Sequence, residues 1–416
     1  MNFRTWKSRI KSSDNLIGLF LMTLFVVAFY QTLDDYRKTQ KEEQYTTNYE
    51  ERKSHKKDRM ADSDHQSCNL FSGRWVFDNA SSYPLYEERK CSFMMNVYAC
   101  QKYGRKDSKY RNWRWQPNHC DLPRFNGAEL LEKIRGKKLV FVGDSLNENQ
   151  WVSMLCMMES SLNQSLHKSV IRNGNLFIFH ATEYNATIGF YWSPLLVESN
   201  ADDPENHRVK DRIIRINSIE KHARHWIDAD ILVFDSFIWW LDSTMTILFG
   251  SFGSSDAIYK RVEMKLRRYE MALNTWSNWL EINVNRTKTN LFFMSFSPPY
   301  YYGEKWSEQV SCYNESEPIM KEGYWGIVTN IEMMRTLESV IEKLGKRGVK
   351  VEYLNITQLS SYRKDAHPSI YKKFLHPPNE KQLSDPKSYS DCIHWCLPGV
   401  PDVWNQILYS YIIKSS

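Results

Sequence analysis

Two short segments at opposite ends of the chain, Phe141-Val142-Gly143-Asp144-Ser145-Leu146 and Asp391-Cys392-Ile393-His394-Trp395-Cys396-Leu397-Pro398, bring together a serine, an aspartate and a histidine. A serine hydroxyl becomes an effective nucleophile only when a base takes its proton. A histidine in that role needs a carboxylate to hold its tautomer and stabilise its charged form. Ser145 is therefore the candidate nucleophile, His394 the base and Asp391 the orienting carboxylate. Taken singly, Gly-Asp-Ser is more often an ordinary turn or cap, and Asp-X-X-His a capping aspartate beside a packed ring. Their joint occurrence in this order points to a catalytic triad.

The elements around these residues are those such a site needs. An apolar run from Lys138 to Val142 ends in Gly-Asp-Ser, and a helix-like stretch from Leu146 to Glu159 follows. Strand, tight turn and helix place Ser145 at a helix N-terminus, where free backbone N–H groups can face a developing oxyanion. Ile231 to Phe234, Leu291 to Phe296 and Val349 to Leu354 have the short, apolar, partly β-branched character of buried strands. Helical patterns run from Ser255 to Val284, Ile327 to Leu344 and Val403 to Ile413. Alternation of this kind predicts an α/β fold with a parallel sheet covered on both faces, its chemistry beyond the C-terminal strand ends.

With 42% apolar and 14% aromatic residues among 416, the chain can bury a large core in one or two domains. The net charge of +6 is not gathered into long basic blocks, which argues against a nucleic-acid partner. Leu16 to Leu33 is uncharged and mostly apolar, preceded by Arg4, Lys7, Arg9 and Lys11 and followed at once by Asp34 and Asp35. That pattern predicts a cytoplasmic tail over 1–15 and a transmembrane signal anchor over 16–33. A stem over 34–66, poor in large aliphatics, would be flexible. A catalytic domain over 67–416 would then be lumenal, its first part, 67–123, a loop-rich subdomain held by disulfides. A cleaved signal peptide ending near Val26 to Ala28 is the competing reading, and it leaves the same region lumenal. All eight cysteines lie beyond residue 67. So do the six glycosylation sequons, at Asn79, Asn163, Asn185, Asn285, Asn314 and Asn355, as expected for the secretory route.

Longer blocks carry a family likeness. They include Phe190-Tyr191-Trp192-Ser193-Pro194 leading to Val197-Glu198-Ser199-Asn200, then Ile238-Trp239-Trp240, Cys312-Tyr313-Asn314-Glu315 and Tyr324-Trp325-Gly326. Leu354-Asn355-Ile356-Thr357-Gln358-Leu359, Tyr362-Arg363-Lys364-Asp365-Ala366-His367 and the block from Asp391 to Asn405 follow. From about Cys68 to the C-terminus the chain resembles the plant trichome-birefringence-like polysaccharide O-acetyltransferases, most closely those acting on xylan. The resemblance implies an SGNH-hydrolase-like fold, with Ser145 as nucleophile, His394 as general base and acid, and Asp391 as the third member. It implies acetyl transfer from acetyl-CoA or another donor to the 2-OH or 3-OH of xylosyl residues, with no bound cofactor and no metal. It also implies a single-pass type II protein of the Golgi membrane. The disulfides it implies are Cys68 with Cys120, Cys91 with Cys156, Cys100 with Cys396, and Cys312 with Cys392, a choice spacing alone does not make. The last two pairs would clamp the Asp391 to His394 segment from both sides.

Two positions depart from the family pattern. Glu148 stands where the family usually has Arg, and Asp235 where the xylan group often has Asn. Each change bears on the charge or hydrogen bonding available near the nucleophile. Trp192, Trp239, Trp240 and Trp325 are candidates for a sugar platform, or else core and groove-wall residues. Arg363 and His367 could orient a glycan, or be solvated surface positions. Cys392, His394 and Cys396 offer three ligands, so a metal site is the rival for that segment. Beside the transferase stand two other functions, a lumenal acetyl esterase and a non-catalytic wall-glycan binder.

Overall fold

Strands β1 (Gly73–Phe77) and β2 (Trp113–Pro117) pair antiparallel near the start of the described residues. The computed structural model describes residues 68–78, 82–162, 170–242, 245–300, 311–326 and 330–415. The expected tail, membrane anchor and stem, together with Asn79 and Asn163, lie outside the described residues. Trp75 and Trp115 meet edge to face across the β1–β2 ribbon, with ring centroids 5.6 Å apart. The Trp75 indole N–H donates to Leu359 O at 2.8 Å and the Trp115 N–H to Leu70 O at 2.8 Å, so both rings are buried with their polar edges satisfied. Disulfides then stand in for regular structure. Cys68–Cys120 closes this region on itself, Cys91–Cys156 ties it to the helix that follows the Gly-Asp-Ser turn, and Cys100–Cys396 ties it to the C-terminal block.

The central sheet is built from β3 (Lys138–Gly143), β4 (Val170–Asn173), β5 (Leu176–Ala181) and β6 (Ala186–Trp192), then β8 (Ile231–Phe234), β11 (Asn290–Met294) and β12 (Glu352–Leu354). A smaller sheet uses β7 (Arg212–Arg215), β9 (Met245–Phe249) and β10 (Ile258–Arg261). The seven strands of the larger sheet lie in the order β12-β11-β8-β3-β6-β5-β4, which puts β3 in the middle. Pairing is parallel from β12 through β6, and β5 and β4 then add antiparallel, so the sheet is parallel only in part. The reason is local. Gly174-Asn175 makes a tight two-residue turn with Gly174 at φ +58°, and a two-strand hairpin needs no crossover helix.

The longer helices are α1 (Gly127–Lys133), α2 (Ser145–Ser161), α3 (Lys265–Asn283), α4 (Ile331–Lys346) and α5 (Val400–Lys414). They flank the sheet in two groups, α2 packing on α1 and α5, and α3 on α4. Nearly every residue of α2 from Leu146 to Met158 is buried, the mark of a helix covered on all sides. The helix expected from Ser255 begins only at Lys265. Residues 258–261 instead pair with β9, and the partner strand overrides the local helical pattern.

Candidate active site

Val142 at the end of β3 is in register with Phe234 of β8, and Gly143 with Trp192 of β6. The chain leaves the sheet there between two neighbouring strand ends. Close packing demands glycine, because a Cβ on Gly143 would sit 2.3 Å from Asp235 O. Asp144 caps α2, its Oδ1 accepting the Leu146 N–H at 2.9 Å. Ser145 is the first residue of the helix and remains partly exposed. Burial pushes the Asp144 carboxyl up to about 7, against the opposing pull of the Leu146 N–H and His394. Asp235, buried next door and facing the Asp144 charge, is also raised well above the carboxylate range.

The C-terminal segment reaches this serine by several ties. Asp391 and Ser369 exchange two backbone hydrogen bonds of 2.9 Å each. Cys396 N donates to Ala366 O and Leu397 N to Tyr98 O, both at 3.0 Å. Disulfides Cys312–Cys392 and Cys100–Cys396 flank His394 on either side. Trp395 is the wedge. Its backbone N–H donates to Asn149 Oδ1 on α2 at 2.8 Å, its indole N–H donates to Ser297 Oγ at 2.9 Å, and its ring stacks on His367 at 3.9 Å. The His367 Nδ1–H in turn donates to the His394 carbonyl at 2.7 Å. Burial drives the His367 pKa down to about 3, so this ring is a neutral strut under the neighbouring histidine.

What results is a hydrogen-bonded line. Asp391 Oδ2 lies 2.8 Å from His394 Nδ1, and His394 Nε2 lies 2.8 Å from Ser145 Oγ. With the carboxylate fixing Nδ1 as the protonated nitrogen, Nε2 is left as the base facing the hydroxyl. Asp391 Oδ1 accepts the backbone N–H groups of Ile393 and His394, each at 3.1 Å, and Lys372 Nζ bonds Oδ2. Burial alone would raise Asp391, but His394 and Lys372 outweigh it and hold the carboxyl well below its usual range. The two segments singled out in the sequence therefore meet with the geometry of a nucleophile, a base and an orienting acid.

The other candidates separate. Cys392 and Cys396 are consumed in disulfides, which removes them as thiolate ligands. Among the described residues no group of three or more His, Cys, Asp or Glu is placed to hold a metal. Trp240 is fully buried and packs 5.9 Å from Tyr269, so it belongs to the core. Trp192 ends β6 in register with Gly143 and is buried, and Trp239, on the turn over 238–241, meets it edge to face at 5.5 Å. His207 lies 5.0 Å from the first and 5.5 Å from the second, and the Arg212 guanidinium 4.3 Å over Trp239. Trp325 lies exposed on another loop. Arg363 and His367 are both buried, which overturns their reading as solvated positions. Arg363 pairs with Asp365 at 2.8 Å, donates to Tyr110 O at 2.7 Å and lies 4.5 Å over Trp75, a structural knot. Four sequons, at Asn185, Asn285, Asn314 and Asn355, fall within the described residues.

Tyr98, Lys372 and Asn149 are site residues that sequence reasoning missed. Tyr98 is the most consequential, since its hydroxyl lies 3.0 Å from Ser145 O and 3.1 Å from Glu148 Oε2, and its ring is 6.0 Å from that of His394. Glu148 therefore points at the site. Burial raises its pKa, while Tyr98 and His394 pull it back.

Against this geometry, residues 122–411 match the model of the GDSL/SGNH-like acyl-esterase family found in Pmr5 and Cas1p, and residues 66–121 match the PMR5 N-terminal domain. The chain belongs to this PC-esterase family. Protein trichome birefringence-like 34 of Arabidopsis thaliana is 56% identical over 359 residues, which is 86% of this chain and 87% of that protein. Two proteins of Oryza sativa subsp. japonica are also similar. Xylan O-acetyltransferase 14 is 48% identical over 83% of this chain and 77% of its own length, and xylan O-acetyltransferase 12 is 50% identical over 84% and 70%. This PC-esterase is thus an enzyme of acyl-ester chemistry with an SGNH-like α/β fold.

Proposed function

We propose that the chain transfers acetyl groups to the 2-OH or 3-OH of xylosyl residues in xylan through an acetyl-serine on Ser145. The observation that carries this is the hydrogen-bonded line from Asp391 through His394 to Ser145 Oγ, in a chain whose relatives include named xylan O-acetyltransferases. In the first half-reaction His394 Nε2 takes the Ser145 proton as Oγ attacks the acetyl carbonyl of acetyl-CoA or another donor. The tetrahedral intermediate collapses, and the imidazolium returns that proton to the departing group. In the second, a xylosyl hydroxyl gives its proton to Nε2 and attacks the acetyl-serine, and collapse restores Ser145 with the proton from His394. The Ser145 N–H at the start of α2 is a candidate oxyanion donor. Trp239 and His207, partly exposed over the buried Trp192, offer rings on which sugar C–H faces can lie. The apolar run over 16–33 supports a Golgi-membrane anchor with this site in the lumen.

Hydrolysis of acetyl esters uses the same triad, so acceptor binding separates the two outcomes. The test incubates the full chain, produced in a secretory host, with xylooligosaccharide and acetyl-CoA, and separately with acetylated xylan, using Ser145→Ala as control. A gain of one acetyl that vanishes in the variant supports transfer. Acetate release without transfer makes the chain an esterase, and glycan retention without either reaction makes it a binding protein.

A further inference from the structure

The Asp391 carboxylate receives four donors, and one comes from outside its own segment. Oδ1 takes the Ile393 and His394 backbone N–H groups. Oδ2 takes His394 Nδ1 and also Lys372 Nζ, so the lysine ammonium and the imidazole share one oxygen. Lys372 is not a surface cation that has strayed inward. Its side chain is 19% exposed and that of Asp391 4%. It lies three residues beyond Ser369, which is itself bonded to Asp391 through both backbone directions. The bridge fixes where the lysine stem starts, and the carboxylate fixes where it ends.

We infer that Lys372 is a positioning residue that pins the Asp391 carboxylate and, through the shared Oδ2, sets the pH range over which His394 serves as base. This deepens the proposed triad and rests on it. A cation on Oδ2 takes up part of the negative charge that would otherwise stabilise an imidazolium, so the histidine gives up its proton more readily. The other groups around the pair do not supply this effect. Glu148 and Asp144 face His394 from α2, and as carboxylates they act in the opposite direction. Tyr98 approaches from the N-terminal region, held neutral by burial. His367 is neutral beneath the ring, and Arg105, the other nearby cation, spends its donors on the carbonyls of His367 and Asp365 and on Asp107. Among the described residues, Lys372 is the cation in direct contact with the triad carboxylate.

The experiment measures kcat/KM against pH for cleavage of a chromogenic acetyl ester by the full chain carrying Lys372→Met, Lys372→Gln or Lys372→Arg. Loss of the ammonium lets His394 keep its proton to higher pH, so the acid limb of both neutral variants moves upward by about half to one pH unit. Arg restores the wild-type limb. A uniform loss of rate with the limb in place means Lys372 only braces the fold and overturns the inference, as does a wild-type profile. Gln carries the same test if Met is not secreted. Ser145→Ala distinguishes the two levels. If it retains activity the triad reading itself fails, whereas an inactive Ser145→Ala with an unmoved limb in the Lys372 variants sinks only the role of the lysine.

Discussion

Glu148→Gln isolates the carboxylate that this chain carries one helical turn past its serine. The amide keeps the shape and still accepts the Tyr98 hydroxyl, so the hydrogen bond of 3.1 Å survives and only the charge is lost. Glu148 and His394 feel each other's charge, and a separation of about 6 Å serves as the scale for it. With an effective dielectric of about 40, between protein surface and bulk water, Coulomb's law gives about 1.4 kcal/mol between carboxylate and imidazolium. That is about one pH unit, or tenfold on the acid limb. The anion favours the protonated histidine, so its removal moves the acid limb of kcat/KM downward by up to about one unit, opposite to loss of Lys372. Glu148→Arg moves it further the same way. Stability gives a second readout with its own sign. A carboxyl raised by burial has its more favourable contribution below the unfolded value of 4.5 and loses it as pH climbs through the folded value. The variant's Tm should therefore gain on wild type as pH rises from 4 to 8. An acid limb that stays put or moves upward, with a Tm difference independent of pH, refutes the reasoning.

Arg363→Ala strands the buried Asp365 carboxylate and should cost about 3–5 kcal/mol in chemical denaturation, far beyond the effect of a surface arginine. The paired substitutions Cys312→Ser and Cys392→Ser open a loop with a sequence separation of 80, worth about 4.5 kcal/mol by chain entropy. Activity should fall at temperatures where circular dichroism still reports a folded chain, because the bridge abuts His394. His367, with its folded pKa near 3 against an unfolded 6.5, lends stability above pH 6.5 that is lost as pH falls toward 3. The slope is about 1.4 kcal/mol per pH unit, and His367→Asn should flatten the acid side of the stability profile.

Ser145, Asp391 and His394 were legible because their chemistry is written locally. Gly-Asp-Ser sits at a strand-to-helix junction, and Asp391 lies three residues before its histidine. The strands β3, β8 and β11 were legible because a strand buried on both faces reads as a nearly unbroken apolar run, and the edge strand β12 because Val349 and Val351 lead into it. β6 was not singled out, although it lies beside β3, because Gly189 and Thr187 interrupt its apolar pattern. The Gly174-Asn175 hairpin signal was present and went unused, so the antiparallel β4–β5 edge of the sheet was not foreseen. Tyr98, Asn149 and Lys372 could not be read from one dimension. Each matters through a single polar atom brought in from a distant part of the chain. Arg363 and His367 were misjudged for a related reason, since contacts that bury them, the Tyr110 carbonyl for the first and the His394 carbonyl for the second, come from distant parts of the chain.

The region before residue 122 is matched as a separate family segment, yet it donates Tyr98 to the serine and Cys100 to the base-bearing block. The two segments are therefore unsuited to exchange as modules. A chimera that borrows residues 66–121 from a relative would inherit that relative's approach to the nucleophile along with its loops. A protease cut between Asp121 and Asn126 would leave a two-chain enzyme, its halves joined by Cys91–Cys156 and Cys100–Cys396, and a gel would resolve them only after reduction.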